Sequence, residues 1–177
     1  AFSKNYSCSF DVEYYANPGV WNCLINVSDV VGSGISEKNF VIQNLYAIDV
    51  VPFVIDYGFL YAGNISEDDV EVTVMNLGNT EIDITLDGYA RYDGDSYAMN
   101  CTSGNISLSY ERYSLTPEMD FSAMTSLTDN PVQLDNFNLL PRNETNSGNK
   151  SVYWKIEVPK PKKGKCSGNV GFSVVAS

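Results

Sequence analysis

Apolar residues recur at every second position through most of this chain. That period fits strands with one buried face and argues against amphipathic helices. Tyr6, Cys8, Phe10, Val12 and Tyr14 alternate with Ser7, Ser9, Asp11 and Glu13. After the turn signal Asn17-Pro18-Gly19, Trp21, Cys23, Ile25 and Val27 alternate with Asn22, Leu24, Asn26 and Ser28. Gly32-Ser33-Gly34 marks another turn, and a strand is expected over Asn39–Leu45. Phe40 to Ile48 reads as continuous strand with no flexible linker, which predicts a stiff join to the second segment.

Beyond Tyr46 the same rule holds. Ile48 and Val50 lead into Pro52, which places that strand at a sheet edge or a break. Val70, Val72 and Val74 form one face, and Ile82, Ile84 and Leu86 form another after the turn Leu77-Gly78-Asn79. Ile106, Leu108 and Tyr110 supply a further face, and Val132–Leu140 a weaker strand. Val152, Trp154, Ile156 and Val158 alternate cleanly, as do Val170, Phe172 and Val174 in the final strand from Cys166 to Ala176. Glu118–Leu127 has some helical character, weakened by Thr125, Ser126 and Thr128. Many short strands between turn signals predict an all-β fold, a sandwich of Ig-like or jelly-roll type. Residues 1–45 supply about three strands of the seven such a domain needs. The expected division is therefore a partial Ig-like segment, 1–45, and a β-sandwich, 46–177. A single merged sandwich is the alternative.

Charge excludes some partners. Twenty-two acids against eleven bases give a net charge of −11, which opposes binding to a phosphate backbone, so no nucleic-acid partner is expected. Six of the bases are lysines between Lys150 and Lys165. An acidic body with a basic end suits head-to-tail stacking, although a solvated lysine loop at Pro159–Lys165 explains the run equally well. No apolar run approaches the ~20 residues that span a bilayer, so no membrane span is expected. The chain begins at Ala1 without an initiator Met, as a mature chain freed of its signal peptide or a fragment would.

Four cysteines with no histidine and no Cys-x-x-Cys point to disulfides in an oxidising compartment rather than to a metal site. Cys8 and Cys23 both lie on the apolar parity. In a tight hairpin about Asn17-Pro18, Cys8 would face Val27, roughly 13 Å from Cys23 along the strand and too far to bond. A turn that crosses between stacked sheets would bring the two together. Of the three possible connectivities we favour one bridge per segment, Cys8–Cys23 and Cys101–Cys166.

Asn-x-Ser/Thr occurs seven times, at Asn5, Asn26, Asn64, Asn100, Asn105, Asn143 and Asn149. Chance gives about three in this composition, so covalently attached N-linked glycans on an extracellular chain are expected. The parity of Asn26 puts it on the outward face of its strand.

Two stretches resemble known families. Pro18-Gly19-Val20-Trp21-Asn22-Cys23 through Asp29, with Phe40-Val41-Ile42, is similar to the last two strands of Ig-like domains of the polycystic-kidney-disease type. Ile55-Asp56-Tyr57-Gly58 with Val70 to Thr80, including Asn76-Leu77-Gly78-Asn79, is similar to Ig-like domains in which such a turn follows a strand. Together with Cys101-Thr102-Ser103-Gly104 and Cys166-Ser167-Gly168, the combination resembles secreted surface proteins of archaea, and in overall plan the TasA type of matrix-fibre subunit. The resemblance implies a structural subunit of an extracellular glycosylated filament, a pilus-like homopolymer, or of a surface layer.

Chemistry is sparse. Without histidine the Ser-His and Cys-His nucleophile pairs cannot form, and no catalytic residue or cofactor is expected. Glu67-Asp68-Asp69 and Asp93-x-Asp95 are carboxylate clusters in turns, and only a secreted hydrolase would need such a pair. Asp93-Gly94-Asp95-Ser96 lacks the glycine and closing glutamate of a calcium loop and reads as a polar turn. Trp21 and Trp154 sit on core parity. Tyr89, Tyr92 and Tyr97 form the best candidate contact surface, which keeps open a monomeric adhesin or carbohydrate-binding module that takes a cell-surface or matrix polysaccharide. A half-sandwich at residues 1–45 would need covering by the second segment or by a strand from a neighbouring copy, with Ala1–Ser7 or the C-terminal strand as donor.

Overall fold

The computed structural model describes residue 7, residues 9–146 and residues 148–176. The fold is all-β. In chain order the strands are β1 (Gly19–Ser28), β2 (Ser33–Ile42), β3 (Ile48–Val51), β4 (Val70–Asn76), β5 (Ile82–Tyr89), β6 (Tyr97–Ser103), β7 (Asn105–Ser107), β8 (Glu111–Ser114), β9 (Thr125–Ser126), β10 (Val132–Gln133), β11 (Asn149–Ile156), β12 (Lys163–Ser167) and β13 (Asn169–Ala176).

Residues from Ile48 onward build a sandwich. One sheet has the order β3-β4-β11-β8-β9. The other is made of two long antiparallel tracks. β5 and β6 run in one direction with residues 90–96 looped out between them, and β12 and β13 run back beside them, so that Ala176 faces Ile82 and Lys163 faces Ser103. β10 and β7 flank β5 and β6 on the far side. The alternation read from sequence is the packing: Val72, Val74, Ile82, Ile84, Leu86, Val152 and Trp154 are buried between the sheets. Trp154 has no exposed surface and packs against Tyr113 and Phe172. Burying each such side chain contributes on the order of 2 kcal/mol.

β1 and β2 form a separate two-stranded antiparallel hairpin. Its turn is set by Asp29, whose carboxylate accepts the N–H groups of Val31 (2.7 Å) and Gly32 (2.9 Å). Trp21 faces Phe40, and Cys23 faces Lys38. Here several expectations are corrected. Trp21 is not a core residue but 40% exposed, because among the described residues no second sheet covers the hairpin; the Phe10 ring lies 5.7 Å from that of Phe40. The strand begins at Ser33 rather than Asn39, since the tight turn at Asp29 lets Ser33-Gly34 pair with Ser28 and Val27. Phe40 to Ile48 is not one strand, because residues 43–47 pair with no strand and turn instead around Asn79. Phe10, Val12 and Tyr14 have strand periodicity yet lie in no strand, and all three are exposed. Glu118–Leu127 forms one short 3-10 turn (Phe121–Ala123) and β9, and Val132–Leu140 pairs only at β10 and at Leu139.

Candidate assembly site

Asn79 joins the two regions. Its side chain is buried, and its amide donates to the carbonyls of Ala16 (2.9 Å) and Gln43 (3.0 Å), while its Oδ1 accepts the N–H of Leu45 (2.7 Å). The glycine before it is obligatory: a Cβ on Gly78 would lie 2.0 Å from the Leu45 carbonyl oxygen. The neighbouring Asn76, also buried, donates to the carbonyls of Thr80 and Leu139 and accepts from Gly78. The Asn-Leu-Gly-Asn turn is thus a socket for the base of the hairpin.

The sandwich is open along one side. β13 bonds β5 by one edge, and β12 bonds β6; among the described residues their other edge bonds no strand. This free edge, residues 163–176, is about 45 Å long. Opposite it β3 is the edge of the other sheet. The space between holds a cleft of about 620 Å³ lined by Val50, Val72, Met99, Val170 and Phe172, with Glu111 at its floor. Val170, Phe172 and Val174 pack against the core but are only half-buried. The apolar side chains lie on β13, whereas β12 carries Lys163 and Lys165; an unpaired apolar edge such as β13 templates pairing with another chain.

Residues 52–62 run beside this opening without joining a sheet. Ile55 and Tyr57 point inward, and the Tyr57 hydroxyl donates to Glu111 Oε1 at 2.7 Å. Burial raises the Glu111 carboxyl to about 7 despite that hydrogen bond, and burial together with the Glu111 charge pushes the Tyr57 phenol well above its usual range. Sequence reasoning does not single out Glu111. Its only signal is an acid on the buried parity of β8, in register with Ile156.

Of the expected site residues, Cys101 and Cys166 face each other in register and form a disulfide, with Cα atoms 3.9 Å apart. Cys23 is half-buried with a free thiol among the described residues, and Cys8 lies outside them. Asn26, Asn64, Asn143 and Asn149 are exposed, Asn100 and Asn105 are half-buried, and Asn5 lies outside the described residues. Asn26 pairs with Ile35, on the hairpin face away from Trp21 and Phe40. Asp95 is spent on its own loop, accepting the N–H groups of Ala90, Arg91 and Tyr97. Tyr92 and Tyr97 are exposed, whereas Tyr89 is half-buried on β5. No group of three or more His, Cys, Asp or Glu side chains suited to a metal occurs among the described residues. No helix of the described residues is long and apolar enough to cross a membrane.

Comparison with known proteins returns nothing. No family model, curated protein or solved structure matches this chain.

Proposed function

We propose that this chain is a structural, non-enzymatic subunit of an extracellular glycosylated filament or surface layer, in which a strand of one copy completes the sandwich of the next. One juxtaposition carries the reading. A segment with strand alternation pairs with no strand among the described residues, while a long sheet edge, apolar along β13, likewise bonds no further strand among them. Phe10, Val12 and Tyr14 are the described part of that segment; residues 163–176 are the edge. Of the two donors the sequence offers, the C-terminal strand is already bonded to β5 over eight residue pairs, Asn169 to Ala176. The remaining donor is the N-terminal segment, Ala1–Ser7, which leads into the unpaired Phe10–Tyr14 stretch. Completing an edge with a neighbour's strand adds a ladder of backbone hydrogen bonds and fills pockets with alternate side chains. Because the donor and acceptor surfaces differ, the contact is heterologous and repeats into a fibre. Glycans on the exposed Asn-x-Ser/Thr sites would shield the remaining surfaces from wrong pairing. The similarity to archaeal surface proteins seen in the sequence agrees with this reading.

Cryo-electron microscopy of the native secreted material, unheated and unreduced, tests it. Ordered fibres or sheets, with density for an added strand along residues 163–176 and for glycan at Asn26, are expected. Dispersed monomers whose N-terminal segment closes their own sandwich would overturn it and favour a monomeric adhesin. Such an adhesin would have the exposed Phe59 and Tyr61, 5.5 Å apart edge to face, available to stack on polysaccharide.

A further inference from the structure

The hairpin ends in two of the most exposed apolar side chains of the described residues, Val30 (103%) and Val31 (90%). Nothing in the turn requires them. The turn is held by Asp29 through its carboxylate and by the bond from Asp29 N–H to the Gly32 carbonyl, which leave both valines pointing into water. With ten residues in each strand the tip stands about 30 Å from the base. Isolated two-stranded hairpins are marginal in water, so the tip gains from a surface to lie on.

The fold fixes where such a surface lies. The hairpin base is seated at the end of the sandwich that holds the Asn76–Ile82 turn and Ala176. The opposite end holds Ser103, Gly104 and the loop from β11 to β12, because Lys163 faces Ser103. At that far end a second cleft, about 670 Å³, has a floor of Met99, Ile106, Ile156 and Val158. Its rim carries Asp56, Phe59 (85% exposed) and Tyr61 (71%) on one side, and Lys162, Lys163 and Lys165 on the other. An apolar tip flanked by an acid leaves one end of the molecule; an apolar cleft rimmed with cations opens at the other. Between Gly19 and Ile42 the hairpin carries two acids, Asp29 and Glu37, against one base, Lys38.

We propose that the Asp29–Gly32 tip of one copy docks in the lysine-rimmed cleft of a second copy, with Val30 and Val31 against the apolar floor and the acidic hairpin against the lysine rim. This contact rests on the head-to-tail assembly proposed above and adds to strand donation a second joint that fixes the orientation of successive copies. Like strand donation it is heterologous, so it also joins successive copies head to tail.

The test places a photo-crosslinking phenylalanine derivative at position 31 in the full chain. Isotopically distinct copies are mixed, allowed to assemble and irradiated, and the joined peptides are mapped by mass spectrometry. Adducts between copies at residues 57–62 or 158–165 are the expected result. Adducts that map elsewhere in assemblies that do form would overturn the docking and leave strand donation standing. A wild-type chain that never assembles would overturn both. In parallel, Val30→Asp with Val31→Asp is expected to lower the yield of assembled material about tenfold at fixed concentration. The melting of the unassembled chain is expected to stay unchanged, since both side chains are already in water. An unchanged yield would likewise overturn the docking.

Discussion

In β4, β5 and β11 alternate side chains vanish between two sheets; in β1 the same alternation leaves Trp21 and Val27 exposed. The two regions obey one sequence rule and differ in what lies above them. Period-two patterning specifies that a segment is a strand and which of its faces is apolar. It does not specify which layer covers that face, and for the hairpin no described sheet of the same chain forms that layer. The core of the body is covered by its own residues, whereas the hairpin and the β12–β13 edge are left without a further strand among the described residues.

Substitution can break this contrast. Trp154→Ala is expected to destabilise the chain by about 3–5 kcal/mol, because it empties a site between sheets, whereas Trp21→Ala in the unassembled chain is expected to cost less than about 1 kcal/mol. Denaturant titration of both variants measures the difference, and equal costs would mean the hairpin is covered after all. Cys101→Ser with Cys166→Ser is expected to remove up to about 4 kcal/mol, given the 65-residue separation it closes. That loss falls on the body alone, so amide exchange of β1 and β2 is expected not to change.

Acidity sharpens the contrast further. Glu111 has its folded-state carboxyl raised to about 7 by burial, against a usual value near 4.5. The folded body therefore holds a proton the unfolded chain has lost between those values. This contribution is fully present below about pH 4.5, falls as pH rises through 7, and amounts to about 3 kcal/mol in total. Stability measured from pH 4 to 8 is expected to show that decline, and Glu111→Gln is expected to flatten it. Glu111 and Tyr57 lie in the body, so the exchange rates of the hairpin, corrected for intrinsic pH dependence, are expected to stay level. The junction between the two regions falls between the extremes set by Trp154 and Trp21. Asn79→Ala removes three hydrogen bonds and is expected to cost about 2 kcal/mol, seen as faster amide exchange at Leu45 with β4 and β11 little altered.

Much of the body is legible in the sequence. The apolar faces of Val70–Val74, Ile82–Leu86 and Val152–Ile156 form the core, Pro52 marks an edge strand, and Cys101 and Cys166 meet on neighbouring strands. The failures share one cause. Alternation by itself assigns Trp21 to a core and Phe10–Tyr14 to a strand, yet alternation does not guarantee a partner. The break at residues 43–47 leaves no local mark because its cause lies more than thirty positions away, in the side chain of Asn79. Glu111 is equally hard to see because a single acid on a buried face gives no pattern; only the fold shows Tyr57 reaching it across 54 positions.

The socket at Asn79 also has a mechanical meaning. A pull on the hairpin enters the body through residues 43–47, where the load is borne by the Asn79 side chain and by the backbone bonds from Leu77 to Ala47 and from Asn79 to Leu45. Beyond that point the force meets a sandwich stapled by a covalent bridge. In a string of such molecules under tension the joint would yield first and lengthen by releasing the slack of a few residues. The folded bodies would stay intact, and the link would reset once the load fell.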